Sequence, residues 1–225
     1  MKKYFTFIIL LTSSMAVFSQ SQSDFNYSIG IKLLTVEEYP KLLNEVRNGS
    51  TLYNSGFNGI IAKVNDNQIS YRFQISNLKK DGYSFKNECE NCEVITGNYK
   101  SFDLKIGFER SLIYSKLQPF YGIDLGFKRV NFEGESHDAN NDSFLYKANI
   151  DKNGGLVYPF LGLKYNVISA VTISAEAGID FLYTHDKEVK SSKTNAPTSV
   201  NNFNRWQFNN KPLGLLSLQF NFGKF

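Results

Sequence analysis

The residue types that usually carry catalysis or bind metals are scarce in this chain. It has 225 residues but only two Cys and two His. The cysteines, Cys89 and Cys92, form a Cys-Glu-Asn-Cys sequence in a polar stretch. A redox pair at this spacing is expected to open a helix, and a structural zinc site needs four ligands. We therefore predict a local disulfide in an oxidising compartment, with no metal and no cofactor.

The two histidines suggest a second kind of site. His137 and His185 are each followed by an aspartate, and Ser136 and Ser143 lie close to His137 in sequence. Nucleophilic catalysis needs an imidazole within hydrogen-bond reach of the hydroxyl. The sequence lacks the Gly-x-Ser-x-Gly elbow of serine hydrolases. We predict that the protein is not an enzyme.

Charged residues, in contrast, recur at regular positions within apolar stretches. Between residues 102 and 109, Phe, Leu, Ile and Phe alternate with Asp, Lys, Gly and Glu. This period of two is typical of a strand whose faces meet different environments. Residues 121–128 and 173–181 repeat the pattern. The charges that we expect to form one network are Arg72, Asp103, Lys105, Glu109, Asp124, Lys128, Lys164, Glu176 and Asp180.

Strands account for most of the chain on this pattern. The alternation predicts eight of them, near residues 24–34, 58–65, 68–77, 100–110, 119–133, 155–167, 170–185 and 206–223. Aromatics make up 15% of the residues and charged residues 20%, a mixture that excludes disorder and coiled coils. The net charge of +4 is too small to indicate a nucleic-acid partner.

The N-terminus has the three parts of a secretory signal peptide. Two lysines follow Met1, residues 4–11 are apolar, and the small residue Ser19 precedes Gln20. We predict a signal peptide over residues 1–19 and a single domain over residues 20–225. No later stretch reaches the 18 or more apolar residues of a membrane-spanning helix. If the mature protein crosses a membrane, it must do so with strands.

Glycines indicate which face of the strands points inward. Seven of them fall on the charged face: Gly30, Gly59, Gly107, Gly122, Gly126, Gly162 and Gly178. Glycine weakens a strand exposed to water, but in a narrow barrel it makes room for long side chains from the opposite wall. We expect the charged face to line the lumen. Acids and bases in near-equal numbers can pair there, which predicts a closed lumen rather than a pore.

The predicted connections alternate regularly in length. Long ones cover about residues 35–57, 78–99, 134–154 and 186–205, and short ones lie near 66–67, 111–118 and 168–169. Transmembrane barrels have short turns on the periplasmic side and long loops outside. Within the first long connection, residues 37–49 have the spacing of a short amphipathic helix, which we expect to pack on the barrel rim. The long connections also leave room for a ten-stranded barrel.

Three segments carry a resemblance to a known class. These are residues 119–127, 159–165 and the closing strand, residues 215–225. With the signal peptide, they resemble the small outer-membrane β-barrels of Gram-negative bacteria, the eight-stranded OmpA/OmpX-like class. The resemblance implies an all-β, eight-stranded antiparallel up-and-down transmembrane barrel in the outer membrane. Phe225 is out of phase with the outward residues of the last strand, so we expect either a bulge near Gly223 or an end beyond the ladder.

The resemblance also implies partners and a role. They are outer-membrane lipid, lipopolysaccharide and the assembly machinery that recognises a C-terminal strand ending at Phe225. We expect a structural or surface-interaction role through long extracellular loops. The alternatives are a narrow pore or small-solute channel, a barrel enzyme that modifies the acyl chains of lipid A, and a secreted lipocalin-like binder.

Overall fold

Eight antiparallel strands form the framework of the part of the protein that the structure describes. The structure is a computed structural model, and it describes residues 25–48, 52–192 and 198–223. The predicted signal peptide, residues 1–19, and Phe225 lie outside the described residues. The strands are β1 Tyr27–Glu38, β2 Leu52–Asp66, β3 Ile69–Asn87, β4 Glu93–Ser111, β5 Leu117–Asp138, β6 Phe144–Ile168, β7 Val171–Ser191 and β8 Ser199–Phe222.

The strands follow one another around a closed ring. Each pairs with the next in the chain, and β8 pairs back with β1, where Tyr27 lies opposite Phe222. The prediction of an eight-stranded antiparallel up-and-down barrel is confirmed, and the ten-stranded alternative is wrong. In the part of the chain that the structure describes, no helix is long and apolar enough to cross a membrane.

The strands are longer than the alternation predicted. β3 and β4 are joined across residues 88–92 and β5 and β6 across residues 139–143, where we expected connections of about twenty residues. The short connections, at residues 67–68, 112–116 and 169–170, agree with the prediction. Four strand pairs therefore continue well past the boundaries inferred from the sequence.

Along β3, β4, β5 and β6 the reason is a reversal of polarity. In β4, Asp103, Lys105 and Glu109 are buried while Phe102 and Ile106 are exposed. From residue 101 toward the outer end the same set of alternate residues stays inward, but it becomes apolar: Tyr99 and Ile95 are buried, and the residues between them are polar or small. Because the outward face turns polar there, the sequence pattern resembles a loop although the ladder of hydrogen bonds continues.

We call the end of the barrel opposite the short connections the outer extension. It comprises residues 78–87, 93–101, 129–138, 144–155, 184–191 and 199–205. Its interior is an apolar cluster of Tyr39, Leu42, Leu43, Tyr83, Phe85, Ile95, Tyr99, Val130, Phe132, Ala148 and Ile150. Three of these residues belong to the segment between β1 and β2, which therefore folds into the barrel.

The expected helix in that segment is not formed. Residues 39–48 contain a turn and an isolated bridge from Glu45 to Asn87, while residues 49–51 are not described. Leu42 and Leu43 are adjacent, and both are buried. A helix would separate them by about 100°, but a turn with Leu43 at a φ of 48° lets both enter the apolar interior.

A bulge in β3 makes the reversal possible on that strand. The pairing with β4 shifts between Lys80 and Tyr83. Gly82 lies at the shift with a φ of +67°, a conformation that side chains other than glycine rarely adopt. The shift changes the phase of the alternation, so that Tyr83 and Phe85 point inward.

Candidate functional site: the barrel lumen

The lumen holds the charged residues singled out from the sequence. All nine of them, Arg72, Asp103, Lys105, Glu109, Asp124, Lys128, Lys164, Glu176 and Asp180, are buried. They come from β3, β4, β5, β6 and β7 and divide into two groups along the barrel axis. Each group also contains charged residues that were not in the predicted set.

The first group, the Glu109 cluster, lies toward the short-turn end. Its other members are Lys63, Arg72, Asp124, Lys164 and Glu176. The carboxylate of Glu109 accepts from Lys63 Nζ at 2.8 Å, Lys164 Nζ at 2.6 Å and Arg72 Nη1 at 3.0 Å. Its side chain is fully buried. One carboxylate thus joins β2, β3, β4 and β6 across the lumen.

Arg72 connects this carboxylate to the far wall. Its guanidinium donates to both oxygens of Glu176, at 2.8 and 2.9 Å, and its Nε lies 3.2 Å from Asp124 Oδ1. The guanidinium also lies over the ring of Phe160, 4.1 Å from the centroid. A planar group with several donors is well suited to these simultaneous contacts. Three acids and three bases therefore balance in the Glu109 cluster.

The second group, the Lys211 cluster, lies toward the outer extension. It contains Glu37, Asp103, Lys128, Asp180 and Lys211. Lys211 Nζ is 2.8 Å from Glu37 Oε2 and 2.9 Å from Asp180 Oδ2. Lys128 Nζ donates to Asp103 Oδ2 at 3.3 Å. Buried charges of opposite sign satisfy one another here as they do around Glu109.

Among the described residues, Lys105 forms no ion pair with an acid. We placed it in one network with the other eight charges, but its ammonium lies over the ring of Tyr158, 4.2 Å from the centroid. Such a cation–π contact partly replaces an ion pair for a buried ammonium.

Apolar side chains pack against both clusters inside the barrel. This second apolar core contains Phe120, Leu156, Tyr158, Phe160 and Leu182. The guanidinium of Arg72 lies over the ring of Phe160, and the ammonium of Lys211 lies over that of Tyr158. The glycines of the inner face leave space for these rings: a Cβ on Gly178 would lie 2.5 Å from Tyr158 Cε2 on the neighbouring strand β6. The glycine positions therefore serve the packing of rings from the neighbouring strand as well as that of charged chains.

A third set of charges lies inside the outer extension. Asp186 Oδ2 forms ion pairs with Lys152 Nζ at 2.9 Å and with Arg205 Nε at 2.7 Å. Arg205 also reaches Glu188 at 3.0 Å. Burial raises the pKa of Glu188, against the opposing effect of Arg205.

Lys152 and Arg205 also hold residues 39–48, which we call the inserted segment. Lys152 Nζ donates to the carbonyl of Lys41 at 2.8 Å, and Arg205 Nη1 donates to the carbonyl of Leu43 at 3.3 Å. The amide of Asn44 donates to Asn87 Oδ1 at 2.8 Å. Since strand side chains satisfy the backbone of residues 39–48, this segment needs no helix to bury its polar groups.

Tyrosines surround the apolar tip of the inserted segment. The ring of Tyr39 stacks on Tyr53, with centroids 4.1 Å apart, and lies 4.3 Å from that of Tyr83. Burial raises the pKa of Tyr39 to about 12. The pKa of Tyr83 is also raised, first by burial and then by Glu45, which accepts from its hydroxyl. Both phenols are therefore neutral in the folded protein at ordinary pH.

A cavity opens at the opposite, short-turn end. Its volume is about 400 Å³. Serine, threonine, asparagine and glutamine side chains line most of it, together with Lys63 and Lys164. These two lysines are also the partners of Glu109, so the cavity meets the Glu109 cluster on its inner side.

The sequence analysis missed several of these charges. Four of them lay in predicted connections and one, Lys211, lies beside Pro212, so they were not assigned to the lumen. The four are Glu37, Lys152, Asp186 and Arg205. The signal that could have found them is the continued alternation, because Asn209 and Lys211 are buried on either side of the exposed Asn210.

The cysteines and histidines lie at the outer end. Cys89 and Cys92 form a disulfide in the connection of β3 to β4, with Cα atoms 5.1 Å apart. His137 Nδ1 is 3.1 Å from the carbonyl oxygen of Asp142, and His185 Nδ1 is 2.9 Å from Asn204 Oδ1. Ser136 is buried and donates to Glu93 Oε2 at 2.7 Å, so its hydroxyl turns away from His137.

The outside of the barrel below the outer extension is apolar. We call this surface the apolar belt, and its upper limit is marked by Phe102, Phe127, Tyr183 and Trp206. Exposed belt residues from successive strands include Ile29, Ile60, Tyr71, Ile106, Leu125, Leu161, Ile179 and Phe220. An outward apolar band of this kind, around a polar interior, is typical of a barrel surrounded by lipid.

Comparisons with known proteins give one similar structure of interest. No family model matches the chain, and no curated protein matches it. A structural match is the NMR solution structure of E. coli Outer Membrane Protein W, at 14% identity and a TM-score of 0.42. The match covers 90% of this chain and 100% of that one. At this level of similarity the inferences below depend on the chain's own geometry.

Proposed function

We propose that this protein is a sealed outer-membrane β-barrel that presents a rigid outer extension for surface interactions. The observation that carries the proposal is the reversal of polarity along the axis. On the short-turn side of residue 101 in β4 the barrel is apolar outside and charged inside. On the other side of that level the outside is polar, and the inside holds an apolar cluster beside the ion pairs of Lys152, Asp186 and Arg205. The lower part suits lipid and the upper part suits water.

The direction of the barrel follows from its connections. Both two-residue turns lie at one end, and β1 begins and β8 ends at that same end, whereas the longest connection, residues 39–51, lies at the other end. This is the arrangement of barrels inserted from the periplasm, with the outer extension on the cell surface. We propose that the closing strand, through Phe225, is recognised by the outer-membrane assembly machinery, and that lipid and lipopolysaccharide surround the belt.

The proposal of a sealed lumen has its own support. A solute entering from the outside meets the inserted tip, where Leu42 and Leu43 are buried. It then meets the Lys211 cluster, the rings of Tyr158 and Phe160, and the Glu109 cluster. An eight-stranded barrel is only wide enough for side chains to fill. These layers favour a plug over a channel.

The surface role is supported by the form of the outer end. The strands carry the polar surface well above the belt on a packed core, so their connecting turns are held rigidly by the sheet. We propose no catalytic step, since the hydroxyl of Ser136 is occupied by Glu93 and faces away from His137.

Two measurements test the proposal. Membrane fractionation with heat-modifiable gel migration should find the folded protein in the outer membrane. A monomer that stays soluble without detergent and keeps its sheet content would overturn the membrane assignment. In planar bilayers the purified protein should give no resolved single-channel steps. Steady steps from the wild-type barrel would refute the sealed lumen and support the pore.

A further inference from the structure

Basic side chains are concentrated on one side of the barrel just above the apolar belt. We call Lys79 of β3, Lys100 of β4 and Arg129 of β5 the basic cluster. All three are exposed and point outward. Lys80, also exposed, lies beside them at the bulge of β3.

The pairing of the strands places like charges together. Lys79 lies directly opposite Lys100 in the register of β3 and β4. Like charges directly opposite in a sheet destabilise the pair. The nearest acid, Asp81, is 3.6 Å from Lys79, and both side chains are more than half exposed. Among the described residues, Lys100 forms no ion pair with an acid, so the fold itself does not compensate its charge.

The height of the cluster on the barrel is well defined. Lys100 is the next outward residue above Phe102, and Arg129 is the next above Phe127. Arg129 is also the direct strand partner of Phe102. The cluster therefore lies where the apolar belt ends, which is the level at which lipid acyl chains give way to headgroups.

The same level on the other side of the barrel is not basic. The row that starts at Arg129 continues through Asn153 of β6, His185 of β7 and Asn204 of β8. Arg129 has one acid nearby, Asp151 at 3.8 Å, in an exposed pair. The row of Lys79 and Lys100 continues through Asn131 and Asp151 to Lys187 of β7, where the base lies directly opposite the acid. The excess of positive charge therefore lies on β3, β4 and β5.

We propose that the basic cluster binds the phosphate groups of a lipid headgroup in the surrounding leaflet. This inference rests on the proposed function, which makes that leaflet the outer one and its phosphorylated lipid the lipid A part of lipopolysaccharide. Guanidinium and ammonium groups suit phosphate oxygens, and a bound phosphate relieves the repulsion between Lys79 and Lys100. The acyl chains of the same lipid cover the belt below Phe102 and Phe127.

Lipid A titration against the folded protein in detergent micelles tests the inference. The triple variant Lys79→Gln, Lys100→Gln, Arg129→Gln removes the cluster. A matched control, Lys86→Gln, Lys147→Gln, Lys190→Gln, removes the same charge from residues of the outer extension that lie farther from the belt. Bound lipid is counted by native mass spectrometry. We expect the cluster variant to bind roughly 10- to 100-fold more weakly and the control to stay within about twofold of wild type.

Each other outcome overturns part of the reasoning. Equal weakening in both triple variants would mean a general effect of net charge and no site. Unchanged binding in the cluster variant would place the lipid elsewhere. If dephosphorylated lipid A bound as well as lipid A, phosphate would not be the group recognised, and if millimolar inorganic phosphate displaced the lipid completely, the site would be one for free phosphate.

Failure of this inference can be told apart from failure of the proposed function. Every sample is also inserted into phosphatidylcholine vesicles and tested for heat-modifiable migration. A wild-type barrel that inserts but does not bind lipid A overturns the lipid site alone. A wild-type chain that does not insert overturns the membrane assignment together with it.

Discussion

Replacing Glu109 by Gln tests whether the buried charges hold the barrel together. Glu109 accepts from Lys63, Arg72 and Lys164 at 2.6 to 3.0 Å, and it is fully buried. Glutamine keeps the size and shape of the side chain but removes its charge. The change therefore isolates electrostatics from packing.

The magnitude follows from what each base keeps. Arg72 retains Glu176 at 2.8 Å and Asp124 at 3.2 Å. Among the described residues, Lys63 and Lys164 have ion pairs with no acid other than Glu109. Breaking a buried ion pair costs about 3–5 kcal/mol. Because both lysines border the cavity of about 400 Å³, water can reach them. We expect a loss near the lower figure, about 3 kcal/mol in the free energy of unfolding.

Urea unfolding in lipid vesicles measures this loss. Trp206 is the single tryptophan of the chain, and 66% of it is exposed on the apolar belt. Its emission should report the transfer of β8 from lipid to water. The midpoint and slope of the transition then give the free energy of unfolding for each variant.

Glu135→Gln is the matched control. Glu135 pairs with Lys147 at 3.4 Å, but half of its side chain is exposed. Exposed pairs contribute about 0–1 kcal/mol, so this variant should unfold almost like wild type. If Glu109→Gln also changed stability by less than about 1 kcal/mol, the view that paired charges brace the lumen would be refuted. Should Glu109→Gln fail to fold, the coupling energy between Lys164→Gln and Arg72→Gln, measured singly and together, tests the same cluster.

Two further predictions concern the packing inside the barrel. Gly178→Ala should destabilise the barrel by about 1–3 kcal/mol in the same assay, because the new methyl would meet Tyr158 at 2.5 Å. The control Gly155→Ala, whose new methyl has its nearest atom at 4.0 Å, should change stability little, and equal effects of the two variants would contradict the packing argument. In an alkaline titration followed by ultraviolet absorbance, Tyr39 should ionise near pH 12. Its pKa is raised by burial above the ordinary value of about 10, so its contribution to stability is present below pH 10 and is lost as the pH rises through 12. Leu42→Ala should lower the pH at which Tyr39 ionises, and an unchanged titration would argue against burial as the cause.

The repeats of the alternation along the chain predicted the number of strands, and its composition in β4 and β5 predicted the inward face. Along these two strands the phase never changes, so Asp103 and Asp124 could be assigned to the lumen from their neighbours alone. The glycine argument worked for a related reason. Gly122 and Gly178 make room for the rings of Phe160 and Tyr158 on the neighbouring strand β6, and these rings lie inside the barrel.

Partners across the lumen could not be predicted. Arg72 and Glu176 are 104 residues apart, and their contact depends on the relative heights of β3 and β7 in the ring. Those heights follow from the accumulated register of the intervening strands. A single bulge, such as the shift between Lys32 and Leu34 in β1, changes which inward residues face one another.

The lengths of the strands were underestimated because an alternation of period two identifies a strand but does not show whether its outward face meets lipid or water. Val130 and Phe132 continue the inward row of Asp124 and Lys128 without a break. What changes at residue 129 is the surroundings: outward apolar residues are replaced by polar ones, and the hydrophobic effect then favours the opposite face.

One continuous strand can therefore satisfy lipid over one half and water over the other, provided that its inward residues exchange charge for apolar surface at the same level. The inserted segment, residues 39–48, lies in the interior beyond this level and supplies apolar side chains beside the ion pairs of Lys152, Asp186 and Arg205. In β4, β5 and β6 the boundary between the two halves is encoded in side-chain chemistry alone and the backbone crosses it unchanged, whereas β3 crosses it with a bulge.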